Sequence, residues 1–558
     1  MAYNNPANHG YSRTQETELE LLRAIEQREN MSSQGYYQPQ QQPYYGQQGG
    51  YGAPPPQPSQ PPYGYAPPPQ HNQGPPPPPQ YVPNYNANEK QDFAQTFKVE
   101  KPKWNDLWAG ILFIIFVLGF AAISAISLRG YASSRGTQGG GIYDGRNNFS
   151  LSTSTMILFT IVLAVAIVFS YAYVWLARLF PKQFIWVTGI LNILMGFATA
   201  AYFLYRKQYG AGIVFLIFVI LLVVAFITWI PRIPFSALML RTAVDVAKNH
   251  GHVYLVSALG GLLGAAFGAW YSVTLVAVYV RYQPGTTNSP NPSCSDGSCS
   301  QGRVIGFIIF LTFTAYWVSE WIKNTIHTTI AGVYGSWYFC SRNYPQRVTR
   351  GALKRSLTYS FGSISLGSLI VAIINFLRQL CSMAKSQAAA DGDIVSCLIF
   401  ACLGCIISIL QWAVEFANRY AFCHIALYGK SYFSAAKDTW KMIKDRGIDA
   451  LINDCLIGPV LGMGAMMVAF ACALLSYVYL VITNPAYNRD GSFTPVVVAF
   501  SFLIGLQICN VFTTPISSGI DTIFVATAWD PEVLMRDHPD LYHQMVTVYP
   551  EVQQAIHA

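Results

Sequence analysis

Charged residues are scarce in this chain. They make up 11% of it, against roughly 25% in an ordinary soluble domain. Hydrophobic residues make up 52%, which argues against a water-soluble fold of this size. The net charge of +8 comes from short Lys and Arg clusters between apolar runs. No continuous basic surface for nucleic acid is formed, and lipid headgroups are the partner this charge suits. The 11 cysteines are scattered, mostly inside apolar runs, where a thiol packs as a small hydrophobe, so a disulfide-dense secreted scaffold is not implied. One C-x-x-C, Cys402 to Cys405, lies in an apolar run without a partner pair, so no metal site is expected. His/Asp or His/Glu metal spacing, a G-x-S-x-G turn and a phosphate-cradling glycine loop are missing, and His327 and His424 each stand among mostly apolar residues. The chain is read as a non-enzyme with no catalytic residue and no cofactor.

Long apolar runs are what it has instead. They cover about 107–128, 154–177, 183–204, 211–230, 253–280, 303–325, 358–380, 394–418, 455–482 and 494–524, and about 20 helical residues cross the ~30 Å hydrocarbon core. An all-α, polytopic transmembrane bundle of about ten spans is expected, with the third span the weakest. The domains expected are a disordered tail over 1–100, the ten-span unit over 101–530 and a short C-terminal tail over 531–558. An even count puts both termini on one side. The inside loops are richer in Lys and Arg if that side is the cytoplasm, with Arg347, Arg350, Lys354 and Arg355 in one and Lys437, Lys441 and Lys444 in another. The Asn148-Phe149-Ser150 sequon then falls outside, as a glycosylation site. Cys294 and Cys299 fall outside too, flanking a Ser, Asp and Gly turn, and are a disulfide candidate.

The first hundred residues are a different material. Over 34–88 the chain repeats Pro, Gln, Gly and Tyr, which cannot bury enough apolar surface to offset the entropy of ordering. A short amphipathic helix over 17–28 is a marginal candidate. No charged n-region precedes an apolar h-region, so no cleavable signal peptide is expected. Pro78, Pro79, Gln80 and Tyr81 form a P-P-x-Y stretch fit for the aromatic groove of a WW domain, such as that of a ubiquitin ligase or its adaptor; a Pro and Tyr-rich tract also produces this pattern by chance.

Inside the spans, ionisable groups are costly and usually face a partner or a wet cavity. In the sixth, Tyr316, Trp317, Glu320, Trp321, Asn324 and His327 fall on one broad face at roughly 100° per residue. In the eighth, Gln411, Glu415 and Asn418 repeat at i, i+4 and i+7 beside Trp412. Carboxylates beside aromatic rings suit an organic cation, so Tyr316, Trp317, Glu320, Trp321, Asn324, Gln411, Trp412, Glu415 and Asn418 are candidates for a substrate path. Glu320, Glu415 and Asp521 are also read as boundary carboxylates that reach interfacial water or a loop Arg. Gly260, Gly264 and Gly268 recur every four residues and predict close helix contact. Gly458, Pro459 and Pro515 mark positions where the ninth and tenth spans are open to interruption. Over 432–456, apolar residues alternate with Lys437, Lys441 and Lys444 as in an amphipathic helix of the inner headgroup layer, either a plain connector or a coupling element.

Three blocks carry a resemblance. NRYAFCHIALYGKSYFSAAKDTW over 418–440, IKNTIHTTIAGVYGSWYF over 322–339 and SGIDTIFVATAWDPE over 518–532 resemble the choline transporter-like family, in that order. The resemblance covers most of the chain beyond residue 100. It implies ten spans, cytoplasmic termini and transport across the plasma membrane. The short connection over 129–152 and the Pro and Gln-rich tail look like the fungal branch, whose substrate need not be choline. The expected function is a transporter or facilitator of a small organic solute, choline or a related cation, by alternating access. The alternative is a non-transporting scaffold or sensor that acts through its tail.

Overall fold

The computed structural model describes residues 103–134, 153–282, 284, 299–341, 344–445, 455–485, 488 and 494–550. The expected disordered tail, with Pro78, Pro79, Tyr81 and the helix over 17–28, lies outside the described residues. So do Asn148, Cys294 and the 446–454 part of the amphipathic connector.

The described elements are α1 (Leu107–Ser134), α2 (Thr153–Leu179), α3 (Pro181–Tyr205), α4 (Tyr209–Trp229), α5 (Ile233–Asn249), α6 (His252–Tyr282), α7 (Gln301–Phe339), α8 (Val348–Leu357), α9 (Phe361–Ala390), α10 (Ile394–Tyr428), α11 (Tyr432–Asp445), α12 (Ile457–Thr483), α13 (Thr494–Trp529), α14 (Pro531–Asp537) and α15 (Pro539–Val548). Ten helices among them are long and apolar enough to cross a membrane. α4 shows why helix wins there. Its Ile, Val and Phe favour strands in water, but in lipid a lone segment can satisfy its backbone only as a helix. Ile213, Phe218 and Leu221 of α4 are exposed, as a lipid-facing surface requires. α3 begins with Pro181 in its first turn, where a missing N–H costs nothing.

Three spans outrun their apolar pattern. α7 has 39 residues, α10 has 35 and α13 has 36; at 1.5 Å per residue α7 is about 58 Å long, well beyond the ~30 Å core. The polar residues that interrupt these apolar runs are satisfied within the bundle. Thr328, Thr329 and Ser336 donate to carbonyls one turn back, at 2.7 Å, 2.7 Å and 2.9 Å. The C-terminal ends of α7, α10 and α13 are largely buried and meet the short helices at one end of the bundle. There Arg178 at the end of α2 donates to Asp245 of α5 at 2.6 Å, and Tyr338 of α7 donates to the Asp530 carbonyl at 3.0 Å. Residues 531–548, expected as a tail, form α14 and α15, with Leu534 and Met545 fully buried.

The glycine reading is corrected in part. A Cβ at Gly260 would lie 2.1 Å from the Ile326 side chain, whereas Gly264 and Gly268 have nothing within 4 Å. The close backbone approach is elsewhere: a Cβ at Gly505 of α13 would lie 2.9 Å from Ala469 Cα of α12, so a larger residue there must separate the two helices. α13 also runs unbroken through Pro515. Proline lacks the N–H that would bond the Val511 carbonyl, and Ser257 of α6 supplies a hydroxyl to that carbonyl at 2.8 Å. Ser257→Ala is therefore expected to cost roughly 0.5–1.5 kcal/mol, read as a lower melting temperature of the purified protein. Ser272→Ala is the control, because its hydroxyl bonds only its own helix; an equal effect of the two would contradict the account.

Candidate functional site

α7, α9, α10 and α13 enclose a cavity of about 320 Å³. α7 contributes Glu320, Lys323, Asn324 and His327, and α10 contributes Glu415, Asn418 and Arg419. α13 adds Thr514, Ser517, Ser518 and Asp521, and α9 adds Val371. Each polar set repeats three or four residues apart, which keeps it on one side of its helix.

The charges are partly paired. Lys323 Nζ lies 3.4 Å from Glu320 Oε2, and Arg419 Nε lies 3.8 Å from Asp521 Oδ2. Glu415 has no cation at that range among the described residues. Its Oε1 accepts from Gln411 Nε2 at 2.8 Å, and Arg378 reaches the group only through Gln411 Oε1, also at 2.8 Å. Three carboxylates thus face two cations in the lining, one carboxylate in excess.

His327 joins the walls. Its Nε2 is 2.8 Å from the Arg419 carbonyl and its Nδ1 is 2.8 Å from Ser518 Oγ. A carbonyl only accepts, so Nε2 carries the proton and Nδ1 accepts from the Ser518 hydroxyl. Asn418 is held from two sides: its Nδ2 donates to the Gly367 carbonyl at 3.1 Å, and its Oδ1 accepts from the Tyr432 hydroxyl. Burial pushes the Tyr432 hydroxyl up to about 12, against a smaller opposing effect of its bond to Asn418, so it stays a donor at neutral pH.

The contacts joining α10 to α13 run from Arg419–Asp521 toward the C-terminal ends of both helices. Cys423 Sγ lies 3.6 Å from Thr522 Oγ1. The rings of His424 and Trp529 meet edge to face at 5.2 Å, and Lys430 sits 4.7 Å over the Trp529 ring. Tyr428 donates to Asp530 Oδ2 at 2.6 Å. Residues 420–427 and 518–529 are all buried, so α10 and α13 are closely packed beyond the cavity on that side. On the other side, Ile406, Leu410 and Trp412 of α10 are exposed.

Of the residues singled out in the sequence, Glu320, Asn324, Glu415 and Asn418 line the cavity, and Gln411 stands directly behind Glu415. The aromatic rings do not line it. Trp317 is fully buried, donates to the Ser365 carbonyl at 3.0 Å and meets Phe113 edge to face at 5.4 Å. Trp321 stacks on Phe113 at 5.1 Å, and Tyr316 packs beside the same cluster. Trp412 is 68% exposed and stacks on Phe416 at 5.8 Å. Lys323, His327, Arg419, Thr514, Ser517, Ser518 and Asp521 line the cavity and were not among the path candidates. The signal for the α13 set was present, since Thr514, Ser517, Ser518 and Asp521 repeat on one face just as Gln411, Glu415 and Asn418 do. Among the described residues no three His, Cys, Asp or Glu side chains form a metal ligand set. Cys299 is disulfide-bonded, and Cys294, its expected partner, is outside the described residues.

A family model described as plasma-membrane choline transporter matches residues 213–532. Protein PNS1 of Gibberella zeae is 65% identical over 478 residues, covering 85% of this chain and 88% of its own. Protein PNS1 of Neurospora crassa is 64% identical over 467 residues, covering 84% of each. Protein PNS1 of Saccharomyces cerevisiae is 41% identical over 484 residues, covering 84% of this chain and 89% of its own. The match runs over the helices that build the cavity and over most of the chain around them, and it places this protein in the choline transporter-like family of plasma-membrane transporters, in its fungal branch.

Proposed function

We propose that this protein carries a small organic cation across the plasma membrane by alternating access around the α7–α9–α10–α13 cavity. The observation that carries the reading is the unmatched carboxylate of Glu415 in a wall otherwise made of amides, hydroxyls and paired charges. The volume of about 320 Å³ suits a solute of a few heavy atoms. An ammonium group with a neighbouring hydroxyl fits this chemistry: Glu415 meets the charge, and Asn324, Thr514 or Ser517 meets the hydroxyl. Because the rings of Trp317 and Trp321 turn away from the cavity, a hydrogen-bonding ammonium is favoured over a quaternary one that needs an aromatic cage. The name of the matching family supports choline or a relative of it as the cargo class.

The closely packed side of the cavity is the end that gathers Arg178, Arg347, Arg350, Lys354 and Lys437. The positive-inside tendency makes that end cytoplasmic, with both termini there and Asn148 available for glycosylation on the other side. The cavity then opens outward. We also infer that the P-P-x-Y stretch offers a WW-domain ligase or adaptor a docking site that governs turnover, not flux. No covalent step is required of any residue.

The test is uptake of labelled ethanolamine and choline into liposomes holding the purified protein. Saturable uptake above empty liposomes, with ethanolamine preferred and unchanged by removal of residues 1–100, is expected. Absence of flux for both, with function in cells lost on removing the tail, would overturn the transport reading in favour of a scaffold.

A further inference from the structure

α11 has two unlike faces. Tyr432, Ala435, Thr439 and Met442 are buried, while Phe433, Lys437, Trp440, Lys441 and Lys444 are exposed. The exposed set recurs at i, i+4, i+7, i+8 and i+11, one stripe of a helix. Phe433 is 65% exposed and Trp440 is 67% exposed. In water two such exposed rings on one helix face are a liability. Interleaved with lysines they have the chemistry of the headgroup layer, where rings lie at the acyl boundary and ammonium groups reach up to phosphates. No carboxylate among the described residues pairs with Lys437, Lys441 or Lys444, whereas Lys430 on the inner side is held by Asp438 at 2.6 Å.

The level of α11 is set by its first residue. The Tyr432 backbone N–H donates to Asp106 Oδ2 at 2.8 Å, and Ser363 Oγ donates to the same oxygen at 2.6 Å. Asp106 immediately precedes α1 and Ser363 lies in the first turn of α9. Trp104 just before α1 and Trp108 in its first turn are 56% and 57% exposed, as an aromatic belt at the membrane surface requires. α11 therefore leaves the bundle at the depth of the headgroups. From this same first residue the Tyr432 hydroxyl reaches Asn418 in the cavity wall.

We propose that the exposed face of α11 binds anionic phospholipid in the leaflet where it lies, and that this contact holds Tyr432 on Asn418, so that headgroup charge sets how readily the cavity takes its solute. The second half rests on the transport reading; the first does not.

The experiment uses the full chain reconstituted in phosphatidylcholine vesicles that contain either brominated phosphatidylserine or brominated phosphatidylcholine at equal bromine content. The difference in emission between wild type and Trp440→Phe reports Trp440 alone. Stronger quenching by the brominated phosphatidylserine is expected. Each lysine at an anionic surface is worth roughly fivefold in affinity, so the excess should vanish in Lys437→Gln/Lys441→Gln/Lys444→Gln and persist in the matching triple Arg variant. Equal quenching by the two lipids, or an excess that survives the Gln variant, would overturn the lipid site. So would quenching that emerges only after residues 1–100 are removed, since the tail would then be the occupant. In the same vesicles, phosphatidylserine should raise uptake severalfold in wild type and not in the Gln variant or in Tyr432→Phe. A quenching excess with uptake indifferent to phosphatidylserine would overturn the coupling. An excess in vesicles with no flux at all would support the lipid site and contradict the transport reading instead.

Discussion

Glu415→Gln is expected to lower cation uptake at subsaturating solute by roughly 10- to 100-fold, the loss of one charge-assisted hydrogen bond, with little change in the amount of folded protein. Lys323 holds Glu320 at 3.4 Å and Arg419 holds Asp521 at 3.8 Å, so those two acids are partly spent on their neighbours. Glu415 has no ion-pair partner at such range among the described residues, and it accepts a hydrogen bond from the neutral Gln411 at 2.8 Å. The substitution keeps the size of the side chain and lets it still bond Gln411, so what changes is charge. Glu415→Asp should retain more uptake than Glu415→Gln, since it shortens the reach but keeps the carboxylate. Equal uptake by wild type and Glu415→Gln would show that the excess charge is not used by the solute.

Trp317→Ala is expected to destabilise the protein by about 3–5 kcal/mol, the usual cost of emptying a large aromatic site in a core. Trp317 is fully buried, is surrounded by Phe113, Phe116 and Phe313, and donates its indole N–H to Ser365. The loss should be read as a lower melting temperature and a lower yield of monodisperse protein. Trp317→Phe should recover much of the packing. The solute affinity of whatever Trp317→Ala protein remains folded should match wild type. A variant of normal stability that has lost solute affinity would put the ring back in the solute path.

Ten spans were legible because each holds about 20 apolar residues in a row, a requirement of the bilayer itself. Their ends were less so. Polar residues such as Thr328, Thr329 and Ser336 read as a boundary, but they bond back to their own helix and allow α7 to continue to Phe339. The acidic half of the candidate site was legible from helical spacing. Its aromatic half was misread as part of the same surface because a shared face does not say which neighbour covers it. Trp317 and Trp321 lie about 60° and 100° around α7 from Glu320, far enough for α1 and α9 to claim the rings. The contribution of α13 was hidden by Pro515, which drew attention to a break in the helix. The actual consequence of Pro515 is a free carbonyl at Val511 that Ser257 fills.

The central claim is that solute occupies the cavity between α10 and α13. Ser517 lies in its wall, and its hydroxyl bonds only the Thr514 carbonyl of its own helix, at 3.1 Å. A thiol there would report directly on occupancy. The measurement is the rate at which a membrane-impermeant, cationic thiol reagent labels Ser517→Cys in sealed vesicles, with and without the transported cation, against the parent protein as background. The account predicts labelling from the side away from the Lys and Arg-rich end, slowed by solute in the concentration range that half-saturates uptake, and no such protection when Glu415→Gln is added. Labelling that ignores the solute in the Glu415 protein would contradict it.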